Sequence, residues 1–383
     1  MKQNIPNFFG GKQAGDIRPF GGYIMKPSWK NYRLREMHAE NTTSHDGKDM
    51  GITADAVWYS CAIDRKKMKE LIRRSDGPAL RFFGLWLGLL AASAIAAFFS
   101  WGSWWALPAF FVYGVLYAAA DHRHHELSHG TAFRTRWLNE ALFHLCAFMT
   151  LREGFYYRWS HTRHHTHTLL VGRDPEIAAP RPPKVLMQFL DFFFIHDGFV
   201  QLGRLLRNAS GDLTEDGKHF VPDGQRHRVI LASRIYLGMI LAVILGCAAT
   251  HSILPAMFVI LPRFYGGFFS QLFNLTQHAG LNEDVLDHRL NTRTIIMNPV
   301  FSFLYANMNY HIEHHMFPMV PFYRLPELHE LIKADCPPPY AGVWAAWAEL
   351  LPALIRQRQE PSYFIQRQPP AQREPVGLRE ALA

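Results

Sequence analysis

Three short stretches of this chain offer metal-binding chemistry: His125-Glu126-Leu127-Ser128-His129, His161-Thr162-Arg163-His164-His165 and His311-Ile312-Glu313-His314-His315. On a helix, residues i, i+3 and i+4 project from one face, so each stretch presents a converging pair or trio of imidazoles. Neutral imidazole binds iron, zinc, copper and nickel and is cheaper to desolvate than a charged ligand. A further pair, Asn274 and His278, has the same i, i+4 relation. With His278 the set is His125, His129, His161, His164, His165, His278, His311, His314 and His315. Nine nitrogens exceed what one metal coordinates. Shared between two metals they give four or five each and leave positions for water, Asn274 or dioxygen, and open positions mark a catalytic site.

Rival chemistries explain less. His125-Glu126-x-x-His129 also has the form of a zinc metalloprotease motif with Glu126 as general base, but that reading leaves seven histidines without a role. A metal transporter would place its ligands near the bilayer midplane on interrupted helices, whereas these lie where apolar runs end. In the multinuclear reading Glu126, Glu313, Asp174 and Asp287 are candidate acceptors for imidazole N–H groups, or ordinary surface carboxylates. His122, His124 and His167 break the shared-face spacing and read as neighbours. His124 stays open, since it pairs with His129 in an HxxxxH spacing.

The elements that must position these residues follow from where the apolar residues cluster. Of 383 residues 49% are hydrophobic and 19% charged, and the net charge of +8 comes from basic residues that avoid the apolar runs. Such a balance suits an anionic membrane surface or an acidic protein partner. Phe82 to Phe99 carries no charge over a length of roughly 27 Å, near the thickness of a bilayer core. A tryptophan-bearing turn at 101–105 and a second apolar run complete a hairpin that ends where the first histidine stretch begins. Spans are expected at about 80–100, 104–120, 229–250 and 253–274. Their connections at Gly102-Ser103 and His251-Ser252 carry no Lys or Arg, while Arg73, Arg74, Arg81, Arg226 and Arg228 flank the opposite ends. The positive-inside rule then puts both termini and all histidine stretches in the cytosol. Interfacial helices are expected at 139–150 and 185–200, and helices at 322–333 and 342–358. Cys61, Cys146, Cys247 and Cys336 are scattered and imply no disulfide framework. The expected fold is an all-α integral membrane protein, with four transmembrane helices in two hairpins under a cytosolic helical cap that carries the metal site. It divides into a cytosolic arm and basic interfacial helix (1–76), a membrane domain (77–335) and a C-terminal helix with a Pro-rich tail (336–383).

With these motifs on the page, the chain resembles the membrane fatty acid desaturase/hydroxylase superfamily. That family carries boxes of the form HxxxH, HxxHH and HxxHH across paired transmembrane hairpins, and HELSH, HTRHH and HIEHH fill the pattern in order, the last followed by Met316-Phe317-Pro318. Asn274-Leu275-Thr276-Gln277-His278 resembles the Asn-x-x-x-His of stearoyl-CoA desaturases, where the His binds iron and the Asn holds a coordinated water. The resemblance covers roughly residues 55 to 335. It implies a non-haem di-iron enzyme that uses O2 and two external electrons to desaturate, or alternatively hydroxylate, an unactivated carbon of a fatty acyl or other amphiphilic substrate. No HPGG haem-binding stretch is present, so electrons are expected from a separate ferredoxin, rubredoxin or cytochrome b5 type of donor. A nucleic-acid partner is not expected.

One residue fits none of this. Arg263 follows Pro262 about ten residues into the fourth expected span, and no acid lies within Phe82–Ala120 or Val229–Asn274 to pair with it. Either Pro262 breaks the helix and Arg263 caps freed carbonyls or reaches the outer interface, or Arg263 faces the substrate cavity and pairs with a polar group there.

Overall fold

The computed structural model describes residues 30–34 and 57–370. Eighteen α-helices run through the described residues, with no strand and only two isolated bridges, Thr294–Tyr310 and Ile295–Tyr340. Most of the expected N-terminal arm and the end of the tail lie outside the described residues. The short part of the arm that is described is packed: Lys30 Nζ donates to Glu283 at 2.9 Å and to Asp284 at 2.8 Å, and Tyr32 Oη donates to Glu283 at 2.9 Å.

The basic stretch forms α1 (Arg65–Leu71), begun by the Asp64 carboxylate accepting from Lys67 N. α2 (Asp76–Ser100) follows, uninterrupted because its 25 residues hold only one proline, in the first turn where an N–H is dispensable. After the tryptophan turn, α3 (Ala106–Ala118) is 13 residues, about 20 Å, and too short to cross a bilayer by itself. It runs through Ala119 into α4 (Ala120–Ser128), so the first histidine pair sits on its continuation. α2 and α3 pack as the expected hairpin, with Trp86 Nε1 donating to Leu116 O at 2.8 Å.

Two helical stretches are long and apolar enough to cross a membrane, Arg65–Ser100 and Asp223–Thr250. The second contains α10 (Arg226–Thr250), the expected third span. The expected fourth span is instead three helices: α11 (Leu254–Val259), α12 (Pro262–Gly266) and α13 (Phe268–His278). Pro255 and Pro262 supply no N–H and start new helices rather than continue old ones. The carbonyls this frees are met by tyrosines, Tyr113 Oη donating to Phe258 O at 2.7 Å, Tyr117 Oη to Val259 O at 2.6 Å and Tyr265 Oη to Met257 O at 2.7 Å. A helix break in a protein interior is tolerated when its backbone groups are so satisfied. Gly266 completes the contact. A Cβ there would lie 1.9 Å from the Gly114 carbonyl carbon, so α3 and α12 meet backbone to backbone.

The expected interfacial helix at 185–200 is also two pieces, α7 (Val185–Asp191) and α8 (Ile195–Ala209), bent by 82° about Phe194, whose φ of 54° is left-handed. The other expected helices form as α5 (Arg136–Met149), α17 (Leu325–Ile332) and α18 (Val343–Gln359). The rest of the helical chain is α6 (Gly154–Thr166), α9 (Glu215–Phe220), α14 (His288–Asn291), α15 (Pro299–Leu304) and α16 (His311–Met316). A core that includes Trp86, Phe133, Phe143, Phe273 and Phe322 joins α2, α5 and α13 to the segments around the histidines. Arg123 is fully buried within it. Its guanidinium lies over Phe82, Trp86 and Phe303 and donates to Ala119 O, Leu304 O and Phe303 O, which fixes α4 against α15.

Candidate metal centre

Four elements carry the nine histidines. α4 presents His125 and His129 one turn apart, the second at its C-terminal end. α6 presents His161, His164 and His165, and its first turn is capped by the Glu153 carboxylate accepting from Phe155 N and Tyr156 N. α13 ends on His278, and the short α16 carries His311, His314 and His315.

The four elements bring the nine together in two neighbouring groups. His125, His129, His161, His165 and His314 each offer a ring nitrogen within 4.8 Å of the others, and so do His164, His278 and His315. His311 joins the second group, its Nε2 standing 3.2 Å from Nε2 of both His278 and His315. In the first group His161 Nε2 lies 3.2 Å from His129 Nε2 and 3.1 Å from His165 Nε2.

Outward-facing hydrogen bonds set the tautomers. His161 Nδ1 lies 2.9 Å from Glu176, and Ser160 Oγ holds the other carboxylate oxygen at 2.6 Å. His164 Nδ1 lies 2.9 Å from Asp174, whose oxygens also accept from Leu169 N and Glu176 N, both at 2.8 Å. His278 Nδ1 donates to Asn291 O at 2.9 Å. His315 Nδ1 donates to Thr168 Oγ1 at 3.1 Å, since the Thr168 hydrogen is given to His164 O. Each of these rings therefore points an unprotonated Nε2 inward. Lone pairs facing each other at such distances repel unless a cation lies among them. Two sets of converging neutral imidazoles, with carboxylates behind two of them, fit a pair of divalent transition metals such as iron.

Burial and mutual repulsion push His125, His161, His165, His278, His311, His314 and His315 well below the ordinary imidazole range, and burial takes His129 to about 3. His164 goes the other way. Burial alone would lower it, yet Asp174 outweighs burial and raises it.

Several sequence expectations need correction. Glu126 takes no histidine proton: it accepts from Thr131 Oγ1 at 2.9 Å and Phe322 N at 3.3 Å, and burial pushes it up to about 8. Its position one residue past His125 turns it to another face of α4. Glu313 accepts from Thr294 Oγ1 and from His329, not from a box histidine. Asp287 caps α14 and pairs with Arg289. Of the four proposed carboxylates only Asp174 meets a clustered imidazole. Glu176, two residues on, was missed, and its only sequence signal is that spacing. His124 is in neither group. It lies between Phe143 and Tyr157, at 5.0 and 4.1 Å between ring centres, and both its nitrogens lack a partner among the described residues.

Arg263 does have an acid. Its guanidinium donates to Asp121 at 2.7 Å and to Ala118 O at 3.0 Å, in a pair whose side chains are each 5% exposed. Asp121 lies one residue beyond the expected span Phe82–Ala120. Burial alone would raise its carboxyl, but Arg263 and Arg152 hold it well below the usual carboxylate range. Asn274 donates to the same carboxylate at 3.0 Å.

A cavity of about 330 Å3 opens beside the histidines, and His125, His161, His164 and His278 all line it, so it reaches both groups. Asp121, Arg263 and Asn274 form part of its wall.

Comparison with known proteins matches residues 102–347 to the fatty acid desaturase family. Similar proteins include a fatty acid conjugase of Calendula officinalis, 24% identical over 274 residues that make up 62% of this chain and 70% of the relative. A Delta(9) fatty acid conjugase-like enzyme of Dimorphotheca sinuata is 25% identical over 266 residues, 59% of this chain and 70% of the relative. An acyl-lipid (7-3)-desaturase of Rebecca salina is 24% identical over 362 residues, 86% of this chain and 78% of the relative.

Proposed function

Because this chain belongs to the fatty acid desaturase family, a family of membrane enzymes, we propose that its two histidine groups hold two irons and that it oxidises an unactivated C–H bond with O2. One metal takes His125, His129, His161, His165 and His314, and the other takes His164, His278, His311 and His315. The observation that carries this reading is the inward convergence of histidine ring nitrogens in two adjacent groups. When bound, the metals supply the oxidising power, reducing O2 to water with two electrons from an outside donor and two from the substrate; retaining an oxygen in the product gives hydroxylation instead. An external ferredoxin, rubredoxin or cytochrome b5 type of protein delivers the donor electrons.

The protein's own residues do the rest. Glu176 and Asp174 fix the rings of His161 and His164 and offset part of the metal charge. Asn274 lines the cavity with its nitrogen held by Asp121, which leaves its amide oxygen available to position a water. The buried walls exclude bulk water from the reacting carbon. For the membrane arrangement the reading keeps four crossings, two by α2 and α10 and two by the interrupted segments at about 104–120 and 253–274, with both termini and the metal centre on the cytosolic side. An acyl chain is the substrate that the relatives' names suggest, and the lining of the cavity is the observation that favours another.

The test is metal analysis of anaerobically purified variants. Wild type and His124→Phe should carry close to two irons per chain, while His161→Ala and His315→Ala should each lose iron and turnover yet still insert. Full iron in both alanine variants would overturn the assignment.

A further inference from the structure

The lining of the cavity argues about what enters it. Small-molecule pockets are as a rule lined mainly by apolar side chains with a few polar groups. Here ten lining residues are Asp, Glu or Arg, six of them acids. Six of the ten fall in the pairs Asp121–Arg263, Arg152–Asp197 and Arg181–Glu283, but among the described residues Glu153 accepts only from backbone N–H groups, Asp191 meets no Arg or Lys, only His196 and the Asp197 N–H, and Arg204 donates to Gln201 over the Tyr156 ring.

The wall given by α13 is equally polar. Gln271, Asn274 and Gln277 follow at i, i+3 and i+6, the only part-exposed positions of that helix beyond Phe269, and all three line the cavity. No hydrogen bond from the Gln271 side chain to another described residue forms, and Asn274 uses only its nitrogen. α8 also lines the cavity, through His196, Asp197, Gln201 and Arg204. A polymethylene chain laid in this space would strip water from charged and amide groups on both sides and return no hydrogen bond to any of them. A compact polar molecule replaces that water bond for bond. The volume, about 330 Å3, is at the small end of the roughly 300–1,000 Å3 that ligand pockets span.

We propose that the substrate is a compact, water-soluble molecule bearing hydroxyl or amine groups close to the oxidised carbon, gripped between the α13 amides and the polar face of α8, and not a long acyl chain. The inference rests on the di-iron reading for its chemistry and departs only from the acyl substrate.

The experiment uses the full chain in detergent and reads binding and turnover separately. Thermal shift on the metal-free protein is measured with a water-soluble panel (amino sugars, inositols, amino alcohols and amino acids) and with stearoyl and oleoyl phosphatidylcholine. The same panels are then given to the iron-loaded, donor-coupled enzyme and products are read by mass spectrometry. A saturable shift and a product from one polar class, with none from the acyl lipids, is the expected result. Gln271→Leu should then weaken that ligand about tenfold, the worth of one hydrogen bond, at unchanged iron content. Binding and oxidation of the acyl lipids, undiminished in Gln271→Leu, would overturn the inference while leaving the metal reading intact, and so would an iron-loaded enzyme that answers neither panel. Failure to hold iron at all would count against the metal reading instead.

Discussion

Replacing Asp174 by Asn tests whether the carboxylate behind His164 sets the second metal group. The carboxylate is buried and makes three bonds: Oδ2 accepts from His164 Nδ1 at 2.9 Å and Leu169 N at 2.8 Å, and Oδ1 accepts from Glu176 N at 2.8 Å. An amide of the same shape cannot repeat this. With its oxygen at the Oδ2 place, its NH2 faces the Glu176 N–H; turned over, it faces Leu169 N–H. Either way a buried backbone donor is orphaned, which costs about 1–3 kcal/mol. His164 also loses the charge that raises it, and its hold on the metal weakens; loss of such an outer partner lowers metal affinity about 10–100-fold. The arithmetic gives roughly 1.4–2.8 kcal/mol of metal binding on top of the fold penalty. A chelator titration of the iron-loaded variant should release one iron at a 10–100-fold lower chelator concentration and the other as in wild type, and the metal-free variant should melt lower. Asp287→Asn, which touches only Arg289 and the start of α14, is the control and should keep both irons. Release of both irons in step, or of neither, with an unchanged melt, would refute the argument.

The pH dependence of the metal-free protein should be one-sided. Eight of the nine clustered histidines are depressed, so below about pH 6.5 the unfolded chain binds protons that the folded chain refuses, and stability that is complete above that pH is lost as pH falls, by up to about 1.4 kcal/mol per pH unit for each such histidine. His164, raised by Asp174, acts in a different window: its contribution is complete below about pH 6.5 and is lost as pH rises through its folded value, so it cancels none of the acid-side loss; a denaturation midpoint that is flat from pH 8 to 5 would contradict the burial of neutral rings. Breaking the Arg263–Asp121 pair by Arg263→Gln should cost up to about 3 kcal/mol, because it leaves a buried carboxylate with only the more distant Arg152, at 3.7 Å, and the Asn274 amide to balance it, and Asp121→Asn in the same chain should restore part of the loss. A wild-type melt for Arg263→Gln would show that the pair carries no stability.

Much of this site could be read from the chain because helical spacing is a local rule. His125 with His129 and His161 with His164 and His165 needed only the 3.6-residue period to be seen as shared faces, and the four segments do meet. Local rules also gave α2, α10 and α18 nearly to their ends. What spacing cannot report is which way a residue between two ligands turns once the helix is packed. Glu126 and Glu313 sit inside boxes yet face Thr131 and His329, whereas Glu176, outside every motif, folds back onto His161. The fourth span misled for a related reason. Hydropathy averages over Pro255 and Pro262, and nothing local says that Tyr113, Tyr117 and Tyr265 are placed to satisfy the carbonyls such breaks release.

The same network explains why a buried arginine belongs on α12. Asp121 precedes His125 by four residues on α4, and Asn274 precedes His278 by four on α13. The Asn274–Asp121 hydrogen bond at 3.0 Å therefore joins the two helices one turn ahead of His125 and His278, the first clustered histidine on each. Helices so joined cannot slide against each other without carrying His125 and His278 out of register, and those two rings belong to different metal groups. A bare carboxylate at that point would be expensive to bury, and Arg263 offsets it from α12, while its second bond to Ala118 O ties the end of α3 to the same point. The break at Pro262 is what lets the guanidinium turn toward α4, since α12 starts a new helical phase there. On this argument the charge beside the break at Pro262 holds the spacing between the two histidine groups, and the interruption of the helix there is a condition of the site.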